Sequence, residues 1–168
     1  MRLFRPRLPA AARAALATEP GERVLSHAAA ETGEAADAFV VASDRALYLP
    51  GGVRLPWHRV EHARWEDETT LVVTGTDGTA HRAEVPEPGL VPETIKERVT
   101  WSIVASRHVR LGDRGGVRLV ARRVPASPDR EWGLEWDLVF DQGLDPADPG
   151  LRALAEQALE DVRRNLGV

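Results

Sequence analysis

Apolar positions along the chain follow two rhythms, one of two residues and one of about four. Short apolar runs of the first kind fill the first half. Arg23–Ala29 carries Val24 and Leu25, and Ala38–Glu66 holds several runs in succession, starting with Phe39-Val40-Val41-Ala42. The polar turn Ser43-Asp44-Arg45 comes next, then Leu47-Tyr48-Leu49, the pair Gly51-Gly52, and a stretch through Leu55-Pro56-Trp57 that ends at Trp65. Thr69–Thr74 and Thr79–Val85 are joined by Gly75-Thr76-Asp77-Gly78. Asp-Gly between β-rich runs is a strong hairpin signal, because both central positions tolerate positive φ. Gly33 marks a loop over Glu31–Glu34. Six or seven short strands at this spacing predict an antiparallel roll or barrel, not a parallel sheet.

The four-residue rhythm takes over at Leu90–Val104. Val91, Ile95, Val99 and Ile103 form one helical stripe, with Leu90 and Trp101 on its other flank. So wide an apolar face predicts a helix wedged between two layers, with Trp101 touching the second of them. Near the start, Pro9–Ala17 is alanine-rich with proline in its first turn, which predicts a short helix acting as a lid over one end of the sheet. Arg2, Arg5, Arg7 and Arg13 also fit a membrane-surface helix, but the apolar stripe is too short and too weak for that.

Two segments carry a family resemblance. Ser43-Asp44-Arg45-Ala46-Leu47-Tyr48-Leu49 is a turn leading into a strand. Arg54-Leu55-Pro56-Trp57, followed by Val60 and Ala63, stands where a bulged strand is expected. Both resemble the bacterial pleckstrin-homology-like (GRAM-like) domains, and the Leu90–Val104 helix falls where that family has its capping helix. The resemblance covers roughly residues 22 to 104. It implies a fold and leaves the ligand open, since function does not follow from fold. The layout as a whole is similar to uncharacterised proteins that join such a domain to a short C-terminal extension.

From Ser106 onward the pattern departs from that family. Arg107–Leu111 and Val117–Val124 read as a hairpin, and pairing Leu111 with Val117 sets Arg110 opposite Arg118, with Arg122 nearby. Facing like charges destabilise a sheet unless acids lie beside them. A third strand, Glu131–Phe140, supplies Glu131, Glu135 and Asp137 on one face and Trp132, Leu134, Trp136, Leu138 and Phe140 on the other. A final helix runs from about Pro149 to Leu166, with Asp148 as N-cap and Gly167 as the stop. Its stripe of Leu151, Leu154, Ala155, Ala158, Leu159, Val162 and Leu166 spans about 140° and matches the aromatic face of the third strand. A module this small is expected to dock on the roll.

The expected class is therefore α+β. Residues 1–21 form an arm and short helix, residues 22–104 the pleckstrin-homology-like antiparallel β-roll with its capping helix, and residues 105–168 a three-stranded antiparallel sheet plus a C-terminal helix. At 168 residues, 43% hydrophobic and 29% charged, the chain can bury a core. A net charge of −4, from 22 basic and 26 acidic residues, argues against nucleic acid as the main partner. The absence of cysteine excludes disulfides, thiolate metal sites and thiol nucleophiles. No apolar run approaches the ~20 residues of a membrane span. Arginines and prolines interrupt the first residues, so no secretory signal is expected and a cytoplasmic location is the default.

Candidate chemistry is sparse. His27, His58, His62, His81 and His108 are the histidines. His58 and His62 have a helical zinc-site spacing, but in a strand they would stand up to ~13 Å apart, and no HExxH accompanies them. No serine lies in G-x-S-x-G, the acids Glu66-Asp67-Glu68 read as a solvated turn, and no P-loop is present. Neither an enzyme nor a cofactor is expected. The strongest candidate is the arginine face of Arg110, Arg118 and Arg122, with His108 beside it, because guanidinium forks suit phosphate. Three acids for three arginines favour a self-neutralised ladder over an anion site. Trp57, at a strand corner after Pro56, is the candidate for an exposed contact surface. The leading expectation is a non-catalytic protein- or peptide-binding or scaffolding protein using a groove or sheet edge. The alternative is a binder of a small ligand, a lipid headgroup or an anion. Unpaired edges also allow homo-oligomers.

Overall fold

The computed structural model describes residues 7–32, 35–125 and 132–167. Gly33, Glu34 and Glu131, together with Arg2 and Arg5, lie outside the described residues. Between Trp101 and Ser102 the chain divides into two compact units.

The first unit is built on a seven-stranded antiparallel sheet. Its strands are β1 (Val24–Thr32), β2 (Ala35–Ser43), β3 (Ala46–Leu49), β4 (Val53–Pro56), β5 (Val60–Trp65), β6 (Thr70–Gly75) and β7 (Ala80–Glu84). They lie in the order β4-β3-β2-β1-β7-β6-β5. β1 pairs with β2 along most of its length but meets β7 through a single pair, Glu31 with Glu84. The sheet is thus two hairpin-built portions joined at one end of β1.

Local chemistry sets the turns. Gly51 and Gly52 both take positive φ (86° and 75°) in the β3–β4 connection, which a side chain at either position would resist. The β6–β7 turn differs from the expected form. Gly78 alone has positive φ, and Asp77 instead caps the turn by accepting from the Thr79 N–H at 2.9 Å.

The core of this unit gathers Val40, Leu47, Val60, Leu71 and Val73, all essentially without solvent contact. Each such side chain contributes about 1.5–3 kcal/mol by leaving water. Helix α2 (Val91–Ser102) adds Val91 and Ile95 to the same cluster, with Val99 packed against it. Val91, Ile95 and Val99 of the expected stripe are therefore a face laid on the sheet core, whereas the helix stops at Ser102 and Ile103 opens the next strand. Trp101 is half-buried, and the Arg98 guanidinium stands 5.3 Å from its ring centroid. Helix α1 (Ala10–Ala15) is shorter than the sequence predicts. Leu8 and Leu16, at either side of it, pack on Val41, Ala46 and Tyr48, the outward side chains of β2 and β3. The arm covers a sheet face instead of closing an end, because that face is itself apolar.

The second unit has three antiparallel strands, β8 (Ile103–Arg110), β9 (Gly116–Pro125) and β10 (Trp132–Phe140), with β9 in the centre. Helix α3 (Pro149–Leu166) follows. Asp148 caps it by accepting from the N–H groups of Gly150 (2.8 Å) and Leu151 (3.0 Å), and Gly167 ends it in the left-handed conformation. Leu151, Ala155 and Val162 bury against Val117 and Leu119 of β9, with Trp136, Leu138 and Phe140 of β10 packed beside them. Four residues expected in this core are not in it: Leu154 and Leu166 of α3 are about half exposed, as are Trp132 and Leu134 of β10. Trp132 and Leu134 stand opposite Pro125 and Arg123, where β9 offers no buried apolar neighbour on that face.

Candidate functional site

Strand β5 is an edge of the seven-stranded sheet, hydrogen-bonded only to β6. A bulge between Val60 and His62 shifts its register. Beyond the bulge, Ala63 and Trp65 pack toward the core while His62 and Arg64 are exposed. The Glu66 N–H donates to the Thr70 carbonyl at 3.0 Å, which makes Glu66–Thr70, Arg64–Val72 and His62–Thr74 the hydrogen-bonded pairs of the ladder. The backbone N–H and C=O groups of Ala63 and Trp65 consequently point away from β6, toward the open edge. Alongside them runs a groove of about 530 Å³ between β5 and α2. Trp65, Ala63, Ile95 and Val99 give it an apolar floor, and Glu61, Glu93 and Lys96 put both signs of charge on its walls. Sequence reasoning named an edge and a groove without these residues. The readable signal was the alternation of Ala63 and Trp65 with His62 and Arg64.

The arginine face is arranged differently from the ladder the sequence predicts. Val109 pairs with Val117, so β8 is shifted by two residues against the expected register. Arg118 stands opposite His108 and Val139, and Arg110 stands opposite Gly116. The shift follows from the turn, where the Leu111 N–H donates to the Gly115 carbonyl and leaves only three residues between them. Arg122 lies opposite Glu135, is 3% exposed and donates through Nε to Asp137 at 2.7 Å. It is a buried ion pair and is closed to a ligand. Arg110 and Arg118 are exposed, and among the described residues neither has an ion-pair partner. His108 Nε2 lies 2.8 Å from Asp141 Oδ1, and Asp141 Oδ2 accepts from the Gly116 N–H at 2.7 Å. The bond to His108 is the main cause holding the Asp141 carboxyl below its usual pKa, with the Gly116 N–H adding to it. Gly116 is required here. A Cβ on it would stand 2.5 Å from the His108 ring and 2.7 Å from the Val109 carbonyl.

Trp57 is not an exposed contact. It is 2% exposed, sits in a single 3₁₀ turn (Trp57–Arg59) and donates its indole N–H to the Ser43 carbonyl at 2.9 Å. The Pro-Trp corner thus seats the indole in the sheet core beneath the Ser43-Asp44-Arg45 turn, which satisfies its one polar atom.

That turn is the hub of a polar network the sequence did not reveal. Ser43 Oγ accepts from the N–H groups of Arg45 (3.0 Å) and Ala46 (2.8 Å) and bonds the Glu22 carboxylate. Glu22 also accepts from the Tyr48 hydroxyl (2.9 Å) and the Glu19 N–H (2.8 Å), and Arg54 Nη2 lies 3.4 Å away. Its side chain has no solvent exposure. Burial pushes the Glu22 pKa up. The bonds from Ser43, Glu19 and Tyr48, with the charge of Arg54, outweigh burial and hold it below the usual carboxylate value. Asp44 accepts from the Arg23 N–H at 2.9 Å, and Arg45 pairs with Glu19 at 3.1 Å. Every polar residue of the motif is used to pin the Glu19–Arg23 segment to the sheet.

Of the spaced histidines, His58 lies in the 3₁₀ turn and His62 in β5 beyond the bulge. Among the described residues no three His, Asp or Glu side chains gather to hold a metal ion. Asp67 is an exposed turn cap whose pKa the Thr69 and Thr70 N–H groups draw down to about 2. No helix among the described residues is long and apolar enough to cross a membrane. Set against family models, curated proteins and solved structures, the chain matches none of them.

Proposed function

We propose that the chain is a non-catalytic binding module, a pleckstrin-homology-like roll that holds an extended peptide segment of a protein partner against β5. The observation that carries this reading is the coincidence of an open strand edge with a groove. The outward N–H and C=O groups of Ala63 and Trp65 offer main-chain hydrogen bonds, and the β5–α2 groove beside them offers an apolar floor for alternate side chains of the added strand. A strand order of β4-β3-β2-β1-β7-β6-β5 with a helix laid on its core favours the pleckstrin-homology-like assignment.

The test is selection of peptides from a random displayed library on the full chain, followed by binding measurements on variants. Ala63→Pro removes an N–H that the β6 ladder does not use, so the edge strand keeps its pairing while an added strand loses a bond. Selected peptides are expected to bind wild type and to lose about tenfold or more in affinity to Ala63→Pro and to Ile95→Glu, with the thermal midpoint of Ala63→Pro near that of wild type. Peptides that bind both variants as well as wild type would place recognition elsewhere and sink the proposal.

A further inference from the structure

The second unit carries a separate feature on the sheet face opposite α3. We propose that Arg110 and Arg118 form a binding site for one compact phosphate group, a phosphate monoester or inorganic phosphate. The geometry begins with Arg118. It projects from the central strand β9, between His108 of β8 and Val139 of β10. Asp137 and Asp141 stand diagonally from it, opposite Val120 and Gly116, and each is already engaged. Asp137 holds Arg122 at 2.7 Å, and Asp141 holds His108 at 2.8 Å and the Gly116 N–H at 2.7 Å. Among the described residues, the acids beside Arg118 on the sheet are thus spent on other donors.

Arg110 completes the site. The Leu111–Gly115 hydrogen bond makes Val109–Val117 a bonded pair, and therefore Arg110–Gly116 and His108–Arg118 non-bonded pairs, whose Cα atoms lie only about 4.5 Å apart. Arg110 and Arg118 are then diagonal neighbours on one face, about 7–8 Å apart at the backbone, and two guanidinium forks can close on a single tetrahedral anion. Gly116 yields its place on that face to the His108 ring, which lies over it and reaches Asp141, so the two guanidinium groups would meet an anion above that ring.

Edge charges that merely discourage strand pairing belong on an edge strand. That function accounts for Arg110 on β8 but not for Arg118 in the centre of the sheet. The size of the ligand follows from the charge. Two guanidinium groups on a chain of net charge −4 suit one compact dianion, whereas anionic membranes and nucleic acids need broad basic surfaces.

The experiment follows backbone amide resonances of the full chain while sodium phosphate is added at constant ionic strength near neutral pH. Sodium chloride serves as control. Saturable shifts centred on His108, Arg110 and Arg118 are expected with phosphate and not with chloride. Arg118→Gln and Arg110→Gln should each weaken binding about tenfold or more, as losing one charge-assisted pair implies, while the remaining spectrum stays that of the folded protein. Arg118→Lys should retain part of the affinity. Linear shifts shared by phosphate and chloride, or phosphate affinity equal to wild type in the two Gln variants, would overturn the site. So would binding to vesicles bearing a phosphorylated headgroup without binding to phosphate itself.

Discussion

Removing Glu22 tests the reading that the Ser43-Asp44-Arg45 motif is a structural clasp. The carboxylate is shielded from solvent and takes bonds from Ser43, Tyr48 and the Glu19 N–H, with Arg54 beside it. In Glu22→Ala, Ser43 can turn its proton to the Ala46 carbonyl at 3.1 Å, and Tyr48 can turn to Ala17 at 3.4 Å. The Glu19 N–H loses its acceptor, and Arg54 keeps Glu19 at 3.3 Å as its one acid along with the Tyr48 hydroxyl at 3.1 Å. Breaking a fully buried ion pair costs about 3–5 kcal/mol. The 24% exposure of Arg54 and its second acid lower this, so about 2–4 kcal/mol is expected. Urea unfolding read by tryptophan fluorescence gives the difference from the shift in midpoint at unchanged slope. Its pH dependence has a definite sign. The folded-state pKa of Glu22 is depressed, so its contribution is present above the unfolded value of about 4.5 and is lost as pH falls through the folded value. The gap between wild type and Glu22→Gln should therefore narrow in acid. A loss below about 0.5 kcal/mol for Glu22→Ala, or a gap that widens in acid, would refute the clasp.

Three further outcomes are expected. Arg122→Ala should destabilise by about 3–5 kcal/mol because it strands Asp137, whereas Arg118→Ala should change stability by no more than about 0.5 kcal/mol; denaturant midpoints compare the two. Gly116→Ala should cost about 1–3 kcal/mol through collision with the His108 ring and the Val109 carbonyl, and less in a His108→Ala background where only the carbonyl remains, which a double-mutant cycle measures. Asp67→Asn should lower the thermal midpoint near neutral pH. Its folded pKa of about 2 lies below the usual 3.8, so that loss should vanish as pH falls through this window.

Local order was legible wherever one residue decides one turn or one face. Gly51-Gly52, the Asp148–Gly167 limits of α3 and the Val91-Ile95-Val99 stripe could be read directly, because dihedral freedom, capping and helical period act within a few residues. The alternation of Ala63 and Trp65 along β5 belongs to the same class. Register and burial were not legible. A two-residue shift between β8 and β9 separates Arg110 from Arg118 as a facing pair and gives Asp141, unnoticed in the sequence, to His108. The alternation of apolar and polar residues does not report that shift, since moving by two keeps every side chain on its own face.

The order of residues alone dictates an α+β chain of antiparallel strands, a helix with a face to bury, and a capped C-terminal helix. Which charges are spent is settled by the fold. Arg122 is buried with Asp137 while Arg118, four residues away on the same face, has no ion-pair partner among the described residues, and Trp57 is a core side chain held to Ser43. The groove between β5 and α2 is equally a product of packing, because its walls lie some thirty residues apart in the chain. Burial and pairing depend on neighbours brought together by the fold, and the same arginine or tryptophan acquires opposite roles according to which neighbours it receives.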